Sequence, residues 1–296
     1  MTSTTAVPPA PPIPARTRLR GGRRVQRTSG RLFKYAALAF FAVLVLMPVY
    51  VLVVTSFKDV AETDPSHAWS WPHVWTTAAW HQAWDQLSPN LANSFRLVIP
   101  ATIISTILGS LNGFVLSKWR FPGADFVFPL ILFGMFIPYQ AIIIPMYQVM
   151  SNAGLRGGLD GLILVHIIYG LPITTLIFRS YFAGISDEII EAAQVDGAGM
   201  LRTFFYVALP IAPPAFAVAM IWQFTSAWND FLFGAVMTNR DYWPITITLN
   251  NIAGGQAVPF NEAMASALLA CIPTVAVYIV LGRFFMRGLM AGALKG

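Results

Sequence analysis

Charge is what this chain has least of. Asp, Glu, Lys and Arg make up 11% of its 296 residues, where a soluble globular protein carries about 25%. With 56% of residues hydrophobic and a mean hydropathy of +0.62, that scarcity excludes a water-soluble domain and leaves an integral membrane protein. Cysteine is almost missing too. Cys271 stands alone in an apolar run, so no intramolecular disulfide forms and the residue reads as a small packing group. No Gly is followed by Lys anywhere, so the G-x-x-x-x-G-K-[ST] loop that cradles nucleotide phosphates is absent. If ATP drives this protein, a partner binds it. No nucleophile–base constellation stands out, so the chain is not expected to be an enzyme by itself or to bind a cofactor.

Acids are absent from residues 1–34, which hold Arg16, Arg18, Arg20, Arg23, Arg24, Arg27, Arg31 and Lys34. The net charge of +6 is therefore concentrated in one tail. That distribution points to anionic headgroups beside a first span rather than to nucleic acid. The tail is rich in Pro and Arg and is expected to be disordered. The Arg23-Arg24 pair suggests a twin-arginine export signal, but the apolar run behind it exceeds a signal-peptide h-region and five more runs follow.

Between charges the chain falls into six long windows: 35–57, 97–117, 126–155, 161–178, 203–229 and 263–282. Crossing about 30 Å of hydrocarbon takes about 20 helical residues, so the expected architecture is all-α with six transmembrane helices. Six spans put both termini on one side. If that side is the cytoplasm, it holds the eight tail cations plus Lys118, Arg120, Arg179, Arg202, Arg283, Arg287 and Lys295, leaving only Lys58, Arg96, Arg156 and Arg240 outside. Because Lys and Arg favour the inner face, both termini and residues 179–209 are expected to be cytoplasmic. Domain bounds follow: a basic tail over 1–34 and a six-helix membrane domain over 35–296.

The first external loop, about 57–94, carries Trp69, Trp71, Trp75, Trp80 and Trp84 with His67, His73 and His81. Tryptophan favours the membrane–water boundary, so part of the loop is expected to lie flat there and to meet an extracytoplasmic partner. No cysteine or close carboxylate cluster completes a metal site around the three histidines. Pro48, Pro100, Gly109, Gly113, Pro138, Pro145, Gly170, Pro172 and Pro273 recur inside the windows. Membrane helices tolerate such residues and use the small ones for close packing; together they also fit a bundle that bends.

One stretch cannot lie in the bilayer. Residues 187–196 hold Asp187, Glu188, Glu191 and Asp196, and each charge at mid-bilayer costs roughly 2.5 to 3.5 kcal/mol. Ser186 is placed to cap a helix whose first turn carries Asp187 and Glu188, where the dipole favours negative charge. Ile185, Ile189, Ala192 and Ala193 recur at helical spacing, which predicts one apolar stripe opposite Glu188 and Glu191. Gly197 and Gly199 permit a sharp turn. A second short helix is expected to stop at Leu209-Pro210, with Pro210, Pro213 and Pro214 opening the next span.

Glu191-Ala192-Ala193, Asp196-Gly197-Ala198 and Leu209-Pro210 together resemble the EAA motif of permease subunits of bacterial ATP-binding-cassette importers. Arg120-Phe121-Pro122-Gly123, Ile137-Pro138, Ile144-Pro145, Trp228-Asn229-Asp230-Phe231 and the C-terminal R-G-L-M-A-G-A-L-K-G look like the carbohydrate-uptake branch. G-S-L-N-G-F-V-L-S-K-W-R-F, W-Q-F-T-S-A-W-N-D-F-L-F-G-A-V and P-I-T-I-T-L-N-N-I look like the glucose/mannose importers within it. The resemblance covers nearly the whole chain after residue 35. It implies a type I importer permease fold whose hairpin, 183–209, docks into a cytoplasmic ATPase through Glu191, Ala192, Ala193, Asp196, Gly197, Leu209 and Pro210. It also implies a second permease subunit, two ATPase copies that use ATP and Mg, and an extracytoplasmic sugar-binding protein. Sugars are held by aromatic faces and hydrogen-bonding side chains, so Trp222, Gln223, Thr225, Trp228, Asn229 and Asp230 are candidate pathway residues; interhelical packing is an equal reading for them. His166, ionisable within a window, is a further candidate.

Other readings stay open: a permease for an oligosaccharide or glycerol phosphate, an ion-coupled transporter, or a membrane scaffold. The ion-coupled reading calls for buried carboxylates or internal repeats. Neither is clear, since the mid-window residues lack Asp and Glu.

Overall fold

The computed structural model describes the backbone of residues 22–119, 121–255 and 258–293. Arg120, Lys295 and residues 1–21 of the tail lie outside it, and Arg287 is described by backbone alone. The described residues form helices joined by short loops, in two units that meet at Val51 and Leu52.

The first unit is most of helix α1 (Gly22–Ser56). It takes in residues 22–34, which the sequence assigns to the tail. From Phe33 to Val49 its side chains are exposed almost throughout, as a helix surrounded by lipid or a partner would be.

The second unit is built on α2 (Ala78–Lys118), α5 (Leu159–Ala183), α9 (Pro213–Trp228) and α12 (Phe260–Ala293). Helices α2 and α5 pack along much of their length, and glycines allow it. A Cβ on Gly109 would sit 2.2 Å from Thr174 Oγ1, one on Gly113 would sit 2.6 Å from the Arg179 backbone nitrogen, and one on Gly170 would sit 2.4 Å from Ser105 Oγ. With no hydrophobic drive between helices in lipid, such close backbone approach supplies the packing. Two apolar clusters flank this seam. One holds Phe224, Trp228 and Phe233; the other gathers Phe114, Phe178, Phe182 and Phe204 near the chain's acidic stretch.

Among the described residues four helices are long and apolar enough to cross a membrane, and six spans result if each of two bent pairs counts as one. The first pair is α3 (Ala124–Phe133), with the 3-10 turn behind it, and α4 (Tyr139–Asn152), bent by 99°. The break is at Ile137-Pro138: Pro138 disfavours a helical residue before it, and Ile137 is extended, with ψ 115°. The second bend, 83°, falls where Ala212 precedes Pro213 at the start of α9. The windows 126–155 and 203–229 are thus not single straight helices. In the second case the residues before Ala212 belong to the acidic hairpin. The charge-free windows also understate the helices: α2 starts at Ala78, so Trp80, His81 and Trp84 ride on a helix rather than in the loop.

Candidate coupling and translocation sites

The acidic stretch folds as a helical hairpin. Its first arm is α6 (Asp187–Val195). Ser186 caps it, its hydroxyl accepting from the Glu188 N–H at 3.3 Å. Lys118, the last residue of α2, holds the start of this arm: Nζ lies 2.5 Å from Asp187 Oδ1 and donates to the Ile185 carbonyl at 2.6 Å. The lysine side chain is 5% exposed and the aspartate 69%. A buried cation at the end of a span thus reaches a carboxylate at the edge of the hairpin.

That tether sets which face of α6 turns inward. Ile190, not Ile189, is buried, and it joins the cluster of Phe114, Phe178, Phe182 and Phe204. The stripe expected through Ile185, Ile189 and Ala192 is therefore rotated: Ile189 and Ala192 are exposed, and Val195 is 88% exposed. The arm is apolar on both sides, one side spent on its own core and the other open.

The turn is carried by Gly197 alone, at φ +80°. Its N–H donates to the Gln194 carbonyl and that of Ala198 to the Ala193 carbonyl, both at 2.9 Å, which is the Schellman closure that glycine favours. Gly199, at φ −72°, needs no special conformation and opens the second arm. That arm does not stop at Leu209-Pro210. It runs through α7 (Met200–Thr203), a π turn (Phe204–Ala208) and α8 (Leu209–Ile211), ending at Ala212. Proline inside a helix clashes with the carbonyl four residues back. The widened turn accommodates Pro210, with the Leu209 N–H donating five residues back to Phe204. The Tyr181 hydroxyl donates to the Ile211 carbonyl, tying the second arm to α5.

Between the end of α2 and the first arm lies a cleft of about 500 Å³ lined by Ser117, Lys118, Trp119, Asp187, Ile190, Glu191 and Gln194. Glu191 is exposed and has no ion pair among the described residues. Glu191, Ala192, Asp196 and Gly197 are all exposed on the hairpin, while Ala193 and Leu209 are half-buried and Pro210 is exposed.

The six pathway candidates separate. Gln223 is buried, and its Nε2 donates to the His166 carbonyl at 2.8 Å. Trp228 is buried, donates from Nε1 to the Ala270 carbonyl at 3.0 Å and stacks on Phe224. Thr225 is half-buried. Asp230 caps α10 (Leu232–Met237) by accepting from the Phe233 and Gly234 N–H groups, and its Oδ2 lies 3.4 Å from His166 Nε2. Trp222 and Asn229 are exposed. Ser226, exposed between them, completes a stripe at i, i+4 and i+7 along one face of α9 and its end. Ser226 and Lys118 were not singled out from the sequence as site residues. Ser226 was findable from that spacing, whereas nothing local marks Lys118 as the partner of a residue 69 positions away.

Residues 105–291 match the family of the binding-protein-dependent transport system inner membrane component. The chain belongs to this family. A probable ABC transporter permease protein of Pyrococcus horikoshii is 45% identical over 56% of this chain and 61% of that protein. The xylose/arabinose import permease protein XacI of Haloferax volcanii is 31% identical over 89% of this chain and 93% of its own length. The glucose import system permease protein GlcU of Saccharolobus solfataricus is likewise 31% identical, over 87% and 92%. In fold, this permease superposes with a TM-score of 0.75 on a chain of a bacterial ABC transporter involved in import of the acidic polysaccharide alginate, at 22% identity and over 93% of this chain and 100% of that one. The all-helical importer-permease fold expected from the sequence is therefore present. As the membrane component of such a system, this permease is not itself the enzyme; the ATP is used by partner subunits.

Proposed function

We propose that this permease is one of two permease subunits of an ATP-driven sugar importer, served by two cytoplasmic ATPase copies and an extracytoplasmic sugar-binding protein. Both termini and the hairpin α6–α8 face the cytoplasm, an orientation supported by the fifteen-to-four division of basic residues. One observation carries the coupling role: the hairpin is anchored inward by Ile190 and the Lys118–Asp187 pair, yet it leaves Ile189, Val195 and Glu191, which has no ion pair among the described residues, uncovered. An apolar surface with an exposed carboxylate suits a partner that brings an apolar pocket and a cation. Glu191 pairs with a basic group of the ATPase, Ala192 and Ala193 let its backbone approach, and Gly197 fixes the angle between the arms. ATPase closure pushes the hairpin; Lys118 passes that displacement to α2, and the two permeases rock from inward-facing to outward-facing. Hydrolysis resets them.

The pathway runs along the Trp222, Ser226 and Asn229 face of α9. Polar groups at the depth of a span do not face lipid, and an indole beside a hydroxyl and an amide is a surface a sugar can use. Gln223, Trp228 and Asp230 hold that face in place. Glucose or mannose is the substrate we favour, on the runs 109–121, 222–236 and 244–252 and on the similarity to a glucose import permease. Uptake of labelled monosaccharides by a deletion strain carrying this gene tests that choice.

Glu191→Ala tests the coupling. Sugar uptake is expected to be lost, and the ATPase to stop copurifying, while the chain stays in the membrane at wild-type level; unchanged uptake would overturn the assignment. Trp222→Ala tests the pathway. It should raise the KM for sugar several-fold while the ATPase still copurifies, and an unchanged KM would return Trp222 to a packing role.

A further inference from the structure

The loop that follows α1 is a rigid block rather than a loose connection. Lys58 is fully buried, with Nζ donating to the His67 carbonyl at 2.6 Å. The Glu62 carboxylate accepts from the His73 and Val74 N–H groups at 2.9 and 3.2 Å. Asp59 and Asp64 cap the two short 3-10 turns. Lys58 pairs with Trp75 in an antiparallel bridge, and the Thr76 N–H donates to the Phe57 carbonyl at 3.0 Å. The Phe57 ring lies 5.8 Å from that of Trp75, and the Trp71 ring 6.0 Å from it. Yet Trp69, Trp71, Val74 and Trp75 remain 55–64% exposed. The block is held by hydrogen bonds to its own backbone and by Asn261 Nδ2 of α12, which donates to the Lys58 carbonyl at 2.9 Å, and it presents three indoles, each more than half exposed, to its surroundings.

Height decides what those surroundings are. The span ending at Ser56 has 24 residues, about 36 Å of helix, against about 30 Å of hydrocarbon. Ser56 therefore stands at or just past the edge of the hydrocarbon, and Lys58 is two residues further on. The bridge fixes Trp75 at the level of Lys58, with Trp71 beside it. That is headgroup level, where indoles are most favourable because the ring meets apolar carbon and its polar edge meets water.

We propose that Trp69, Trp71, Val74 and Trp75 form a lipid-contact plinth, seated in the headgroup region of the leaflet opposite the hairpin. It holds the outer end of the first span at fixed depth, so that the rocking bundle works against an anchored edge. This rests on the membrane reading of the chain and not on the sugar or the ATPase. A docking protein is the rival occupant of the same surface.

The test uses the full chain in its transporter complex, in nanodiscs of phosphatidylcholine and phosphatidylglycerol. In a Cys271→Ser background, Trp71→Cys carries the environment-sensitive dye NBD; Ala61→Cys, exposed on the same loop, carries it as a control, and Trp75→Cys is a second reporter should Trp71→Cys not assemble. Expected at position 71 are blue-shifted emission, quenching by lipids spin-labelled near the headgroup, and loss of quenching by aqueous iodide, while iodide quenching persists at position 61. Equal iodide quenching at both positions overturns the proposal. Iodide quenching at 71 that is relieved only on adding the transporter's binding protein also overturns it, and assigns the surface to that protein.

Discussion

The seam between α2 and α5 and the hairpin α6–α8 both bear on the C-terminal part of α2, and they are held by opposite means. The seam is complete within the chain: Gly109 and Gly113 of α2 lie against Thr174, Phe178 and the backbone of Arg179, with no room for a methyl group. The hairpin is held at a few points, namely Lys118 to Asp187, Ile190 in its phenylalanine cluster, and Tyr181 to the Ile211 carbonyl. Its Val195 is 88% exposed and its Ile189 48%. A region finished internally transmits displacement as a rigid body, whereas one left half covered waits for the other half of an interface. Substitutions in the first should act on folding. Those in the second should act on transport.

The largest effect is expected at Gly113. Leucine there drives a side chain into main-chain atoms of α5 that cannot swing aside. Overpacking typically costs about 1–3 kcal/mol, occasionally more, and here the helices themselves must part. Gly113→Leu should remove most of the chain from the membrane fraction and lower the Tm of what remains in detergent. A normal Tm would mean that the seam is not the rigid element supposed.

Lys118→Met sharpens the contrast. Its partner Asp187 is mostly in solvent, so the pair itself contributes at most about 1 kcal/mol, and methionine keeps the buried stem packed. The Tm should move little while sugar uptake drops, because the join between α2 and the pushed hairpin is loosened. A fall in Tm as large as that of Gly113→Leu would erase the distinction between the two regions.

The residues that could be read in advance are those whose roles depend on near neighbours in sequence. The Ser186 cap, the turn at Gly197 and the scarcity of charge in the spans are of this kind. Ile190 was not legible, because a rotation of about 100° separates it from Ile189, and the tether that fixes the rotation comes from Lys118, 69 residues away. The bends were missed for a different reason. Charge-free length identifies what can cross a membrane but not whether it crosses straight, and Pro138 and Pro213 act through backbone geometry that hydropathy does not record. In the pathway set, composition brought the right residue types together on α9. Which of them turn inward was settled by remote carbonyls, of His166 for Gln223 and of Ala270 for Trp228.

The smallest expected effect lies outside both regions and separates them by pH. The helical stretches 97–117 and 161–183, which make up the seam, contain no Asp or Glu, so acid should leave the seam alone. The loop after α1 does depend on carboxylates, Glu62 and Asp59 as well as Asp64. Asp64 is held below its usual pKa of 3.8 by the Ser66 hydroxyl and then the Ser66 N–H, which both donate to it. A depressed folded pKa means the contribution is fully present above the unfolded value and is lost as pH falls through the folded one. The emission of a dye at position 71 should therefore stay flat from neutral pH down to about 4, the ordinary aspartate range, and change only below it. In Asp64→Ala the changed emission should already be present at neutral pH. A transition in the wild-type well above the aspartate range would show that another group controls the loop.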